Sequence, residues 1–265
     1  QPCNTKMRKK KNTLPVFFHN FKKYDGHLIC SSALGKKKDW QLELIPQTKE
    51  TYIALKARLP VGKKLDKKGE ETKVYLTVEF KDSLQFLSAS LDSLVRNLAP
   101  HQLVHSTNML PPGVPTSLIA SKGIFPYTYL DSEARLTETQ LPPKETFFND
   151  LAQEHLSDED YDRAQTAWNA LGCRNLKDYM LHYLKADIHQ LADVFESFRQ
   201  LSMKEDSLDP AHYVSFPGLT LDSALKMTEV QIELLTEEEM YVFFENGLRG
   251  GMTFVNTHFL RANTP

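Results

Sequence analysis

At one point in this chain the hydrophobic period changes within three residues. Val74, Leu76, Val78 and Phe80 fall on one face of a strand, with Tyr75, Thr77 and Glu79 on the other. From Ser83 onward the spacing becomes three and four, through Leu84, Leu87, Leu91, Leu94, Val95 and Leu98, which predicts a helix beginning near Ser83. Two such elements in immediate succession bury their apolar sides only by packing as layers.

The rest of the chain fits that reading. Leu14 to Phe18 reads as a short buried strand, and Asp25 to Leu34 as the helix after it. Trp40 to Leu44 and Tyr52 to Leu59 alternate as strands do, and Val61 to Lys73 reads as a charged hairpin loop. The Pro- and Gly-rich stretch 99–145 predicts long irregular structure. A helix over 158–171 has Ser157 as N-cap, Asp160 in the capping-box position and Gly172 as its stop. The longest amphipathic helix runs from Leu176 to Leu201, with Leu184, Leu191, Val194, Phe198 and Leu201 on its apolar stripe. A last helix is expected from Thr236, boxed by Glu239, to Gly247, followed by a strand over Met252 to Val255. Strands first and helices later suggest an α/β or α+β layer on a mixed sheet.

Composition limits the functional classes. The 265 residues are 41% hydrophobic and 25% charged, ordinary for a soluble chain with a real core. No apolar run approaches the roughly 20 residues of a membrane span. Cys3, Cys30 and Cys173 are too far apart for a zinc site, and an odd count argues for a reducing, intracellular compartment. Charge is divided unevenly: 21 Lys+Arg against 10 Asp+Glu up to Phe125, and 11 against 24 beyond it. The basic half, with its arm over residues 1–12, invites a polyanion such as nucleic acid; two solvated faces of opposite sign are the plainer reading.

Two carboxylates stand where chemistry could use them. Asp25 follows the strand "FFHNFKKYDG" at a strand-to-helix junction, where an Asp is most often an N-cap. In "YLKAD", Tyr183 and Asp187 stand at i and i+4 on one helix face. An acid on an otherwise apolar stripe needs a buried partner, a metal, or a tilt toward solvent.

Taken together, these stretches resemble the organellar, viral and transposon branch of the family B DNA polymerases, which includes protein-primed phage enzymes. "FFHNFKKYDGHLI" is similar to the second exonuclease motif of that family and "YLKAD" to the third. "FKDSLQFL" matches its Ser/Thr-Leu motif at Ser83, Leu84 and Leu87, and "SKGIFPY" its Lys motif at Lys122 and Phe125. "GLRGGMTF" matches the double-glycine link between exonuclease and polymerase modules at Gly250 and Gly251.

The resemblance implies a ribonuclease-H-like 3′→5′ exonuclease domain over residues 13–201. Residues 202–265 would then be a mainly helical link into the start of the polymerase palm. It further implies phosphodiester hydrolysis with two divalent ions, Mg²⁺ or Mn²⁺, ligated by Asp25 and Asp187. Tyr183 would orient the water and Lys122 would neutralise the scissile phosphate. Asn20, Ser83 and Leu84 would hold the single-stranded 3′ end, with Tyr24 or Phe125 as a stacking surface for a base. Gly250 and Gly251 would let backbone approach the template strand of a primer-template. A priming protein is a further implied partner, and a membrane is not.

That family's first exonuclease motif, Asp-x-Glu, lies ahead of the second, and the 19 residues before Asn20 contain no acid. The sequence therefore reads as a fragment lacking two metal carboxylates, and these 265 residues alone are expected to be inactive. Two other readings stay open: a non-catalytic binder of single-stranded DNA or of a priming protein, and an unrelated α/β scaffold.

Overall fold

The computed structural model describes residues 13–21, 25–29, 31, 40–46, 52–65, 69–150, 153–248 and 250. The basic arm, Tyr24, Gly251 and the strand expected at Met252 to Val255 lie outside the described residues.

Strand β1 (Thr13–Phe18) is followed by the short helix α1 (Asp25–Ile29). Then come β2 (Gln41–Pro46), β3 (Tyr52–Leu65) and β4 (Glu71–Asp82). The sheet order is β1-β4-β3-β2, antiparallel throughout except for the parallel β1–β4 pair. The mixed sheet expected from the alternating segments is thus present. Strands β3 and β4 reach further out than their apolar patterns, leaving only a short tip between Leu65 and Glu71 where a loop from Val61 to Lys73 was expected. Cross-strand hydrogen bonds carry the ribbon past the last buried residue, because pairing needs no apolar face.

Beyond β4 the helix expected over Ser83 to Leu98 is broken in two. A 3-10 turn occupies Ser83–Gln85, and helix α2 covers only Leu91–Arg96. The break comes from capping: the Ser90 hydroxyl accepts the Ser93 N–H at 3.2 Å and restarts the helix there. Within the irregular stretch lies a short helix α3 (Val104–Met109), with several 3-10 turns. Helix α4 (Asp158–Ala170) starts at the expected cap, Ser157 accepting the Asp160 N–H at 3.1 Å, and stops before Gly172 at φ 64°.

Helix α5 (Leu176–Glu205) is the spine of the molecule. Its first turns pack on α4 around Phe125, Trp168, Tyr179 and Tyr183. Its middle meets α2 and α3 through Leu91, Val95, Leu103 and Val194. Its last turns cover one sheet face, with Phe195 4.0 Å from Phe17 between ring centroids. The opposite face is sealed by Phe21, Leu55 and Phe80. The expected stripe on α5 is partly displaced. Leu184 and Leu201 are exposed, whereas Gln190 and Asp193 are buried. Each of those polar groups has backbone to bond: Asp193 accepts His105 N–H and Ser106 N–H at 2.8 and 2.9 Å, tying down the first turn of α3.

Covering both faces of the sheet also explains a buried ion pair. Glu79 and Lys81 lie 3.3 Å apart, and Lys81 donates to Ala211 O at 2.7 Å. Helix α6 (Phe216–Thr228), which the sequence reading did not anticipate, follows, with Ser215 at its N-cap and Pro217 in its first turn. The last helix, α7 (Glu238–Gly247), begins after Glu237 and not at the expected Thr236 box; no side chain caps it and all its residues are exposed.

Candidate functional site

The parallel pairing of β1 with β4 sets Phe18 opposite Asp82, so both strands end side by side. The chain then turns at His19–Asn20, with Asn20 in the left-handed region at φ 74°, a conformation asparagine tolerates better than most residues. Asp82 is completely buried. Its Oδ1 accepts the Asn20 N–H at 2.9 Å and the Leu84 N–H at 3.0 Å. His19 bridges the same two turns, with Nδ1 2.9 Å from Ser83 Oγ and Nε2 donating to Ala89 O at 3.0 Å. The Ser83 hydroxyl also lies 2.9 Å from Phe18 O. With a neutral ring its single proton serves either that carbonyl or His19 Nδ1. Burial holds the His19 imidazole below its ordinary pKa, against the opposing pull of the Ala89 carbonyl and Asp82.

Asp25 opens α1 one short turn after this edge. Its carboxyl is raised above the ordinary carboxylate value, first by burial and further by the negative charge of Asp82, while its own backbone N–H opposes this.

A second cluster lies on α5. Tyr183 is buried and stands one turn before Asp187 on the same helix, as the i, i+4 spacing predicts. The Tyr127 hydroxyl makes a short contact with the Tyr183 hydroxyl. Burial first, and the Tyr127 contact second, push the Tyr183 phenol well above its ordinary range. Asp187 is likewise raised by burial, with Lys122 and the Tyr183 hydroxyl acting against it. Lys122 Nζ stands 3.9 Å from Asp187 Oδ2, and Asp187 Oδ1 is buried without a hydrogen-bond partner among the described residues.

Three elements hold Lys122 at that carboxylate. Asp92 from α2 accepts the Lys122 N–H at 2.9 Å. Gln190 from α5 donates to Ile119 O and Ser121 O at 3.0 and 2.9 Å. Arg163 from α4 contacts Ser121 Oγ and reaches Lys122 O at 3.4 Å. Two charges act on the His19 imidazole in opposite directions, the Asp82 carboxylate raising its pKa and the Lys122 ammonium lowering it.

The remaining expected residues fare differently. Phe125 is only 9% exposed and is packed against Tyr179 and Tyr183, so its ring is core. The aromatic beside it that does face outward is Tyr127, 63% exposed and edge-on to Phe125 and Tyr183. Ser83 is buried, its hydroxyl taken by Phe18 and His19. Gly250 is exposed, and a Cβ there would meet nothing within 4 Å. Tyr24 and Gly251 lie outside the described residues. Among the described residues no group of three or more His, Cys, Asp or Glu is placed to hold a metal.

The family model for DNA polymerase type B, organellar and viral, matches residues 4–263. The chain belongs to that family. No curated protein and no solved structure shows significant similarity to it. In this polymerase-family chain, sequence reasoning singled out Asp25, Tyr183, Asp187 and Lys122 but passed over Asp82, Gln190 and Tyr127. Asp82 had a signal: it continues the alternation of Val78 and Phe80, and an acid at the next position of an apolar face requires a partner. Gln190 and Tyr127 had none, since their partners come from segments far away in sequence.

Proposed function

We propose that this chain is the 3′→5′ proofreading region, of ribonuclease-H-like architecture, of a DNA-directed DNA polymerase acting in replication. The observation that carries the reading is the Lys122–Asp187 pair beside the buried Tyr183, with a buried carboxylate oxygen that has no hydrogen-bond partner among the described residues. Desolvation disfavours the charged forms of Asp25 and Asp187, and a divalent cation would relieve that penalty. The donor set is hard oxygen and fits Mg²⁺ or Mn²⁺, whose contribution when bound is charge stabilisation and activation of water in phosphodiester hydrolysis.

The protein's own residues have distinct tasks in this reading. Asn20 and Leu84 receive the terminal nucleotide of a single strand, and Tyr127 takes over the stacking role expected of Phe125. Lys122, fixed through its backbone, puts a positive charge at the scissile phosphate. Tyr183, held protonated by burial one turn before Asp187, orients the water through its hydroxyl. Gly250 and Gly251 mark the passage to the polymerase module and its primer-template, and a priming protein is a possible partner class of the whole enzyme.

With only Asp25 and Asp187 as ligands, the chain alone is expected to bind a 3′ end and leave it intact. Incubation of a 3′-labelled single strand with the protein and Mn²⁺ tests this. Binding without shortening agrees with the reading. Robust shortening refutes the expected inactivity, and no preference for a frayed over a blunt 3′ end refutes the site. The same absence of a three-ligand cluster favours a second reading, a non-catalytic single-strand or priming-protein binder. Adding an Asp-x-Glu strand ahead of β1 distinguishes the two, because only a true nuclease region then gains activity.

A further inference from the structure

We propose that Asp82 is a positioning residue that joins two strand ends into one binding edge for the 3′ terminus; this rests on the reading above, in which Asn20, Ser83 and Leu84 meet that terminus. The ladder between β1 and β4 ends at Phe18 and Asp82, and past it the two chains diverge. One runs through Asn20 into the buried Phe21, and the other into the 3-10 turn at Ser83. No further backbone ladder joins them among the described residues. The junction is made by Asp82, whose Oδ1 takes one N–H from each turn, 2.9 Å from Asn20 and 3.0 Å from Leu84. Bonds from backbone N–H groups to a buried carboxylate are charge-assisted and stronger than neutral ones.

The consequence is geometric. Asn20 needs a fixed backbone, because at φ 74° it occupies a minor conformation for a non-glycine residue and would relax if released. Its N–H bond to Asp82 fixes that turn while its side chain stays exposed and free for a ligand. Leu84, half-buried, is set by the same oxygen. One atom thereby determines the spacing between the two groups that face the terminus, whereas the Ser83 hydroxyl is occupied internally.

The two bonds that join the turns fall on one oxygen of Asp82. Asp82→Ser still caps Leu84 N–H through a short local turn but is too short to reach Asn20. Asp82→Ala removes both. Fluorescence anisotropy with a linear single strand and with a circular strand of the same sequence, together with amide hydrogen exchange at Asn20, reads the result.

The expected pattern is a loss of about tenfold in affinity for the linear strand in D82A and D82S, with faster exchange at Asn20. Binding of the circular strand is unchanged in both variants. If D82A does not fold, D82S carries the comparison. The inference is overturned if D82S binds the linear strand like wild type. It is overturned equally if the circular strand is lost in parallel. Asn20→Ala separates the two levels. Where wild type prefers the linear strand and N20A loses that preference while D82S keeps it, only the role of Asp82 fails. Where wild type shows no preference, the 3′-end reading fails and takes this inference with it.

Discussion

Gly123 lies directly after the lysine that pairs with Asp187, and a methyl group placed there tests how tightly Tyr183 is held. A Cβ on Gly123 would stand 2.8 Å from Tyr183 Cδ2 and 3.2 Å from Cε2, the first of these closer than real Cβ contacts come. The ring has few ways to yield. Its face meets Phe125 at 5.4 Å between centroids, and its hydroxyl contacts that of Tyr127. A cavity of about 60 Å³, bordered by Gly123, Tyr179, Tyr183 and Ala186, gives some relief. Overpacking of this kind costs about 1–3 kcal/mol, which for a chain of this size is a fall of roughly 2–5 °C in Tm. Thermal and urea unfolding of Gly123→Ala measure it. Gly62→Ala, where a Cβ meets nothing within 4 Å, is the matched control and should stay within about 1 kcal/mol of wild type. In a Tyr183→Leu background the cost of G123A should shrink to below about 0.5 kcal/mol, because the clashing ring is gone. Unchanged stability in G123A, or strict additivity with Y183L, refutes the claim that Gly123 is required by the position of Tyr183.

Other expectations follow from the same geometry. Because the folded-state pKa of Asp187 is raised, its burial penalty is absent at pH values below the unfolded carboxylate value and grows as pH rises through the folded one. Asp187→Asn should therefore raise Tm at pH 7 and leave it unchanged near pH 3, in scans without divalent ions. Asp209 behaves oppositely: Arg199 donates to it at 2.9 and 2.7 Å and lowers its pKa. That stabilisation is complete above the ordinary carboxylate range and disappears as pH falls through the folded value, so Asp209→Asn should flatten the acid limb of a stability–pH curve. Lys81→Ala removes the ammonium 3.3 Å from the buried Glu79 carboxylate and should cost about 3–5 kcal/mol in urea unfolding. Adding Glu79→Leu should recover most of it, and a cost below about 1 kcal/mol for K81A would contradict the pair's assignment.

Much of the sheet was readable from alternation, since a two-residue period survives in Val74 to Phe80 and Tyr52 to Leu59 wherever one face is buried. The caps were readable at Ser157 and Gly172, where the signal is local. What could not be read depended on distant partners. The break before α2 hinges on a serine cap inside an apolar repeat that looked continuous. The burial of Gln190 and Asp193 follows from carbonyls and N–H groups supplied by segments some 70 to 90 residues earlier. For the site, the i, i+4 spacing of Tyr183 and Asp187 was visible, and so was the acid at the end of β1. Lys122 was singled out only through family resemblance, and its pairing with Asp187 was not expected, because no periodicity links a loop lysine to a helix 65 residues on. Phe125 illustrates the reverse case, in which a motif aromatic proved to be core and its neighbour Tyr127 took the surface.

The claim that Asp25 and Asp187 serve one cation site is tested most directly by paramagnetic broadening of amide NMR signals under substoichiometric Mn²⁺. The account predicts broadening centred jointly on the first turn of α1 and on the Tyr183–Asp187 turn of α5, and its loss at both places in either D25N or D187N. Broadening confined to the acidic first turn of α4 at Asp158–Asp160, or persisting on one aspartate after the other is removed, would contradict it.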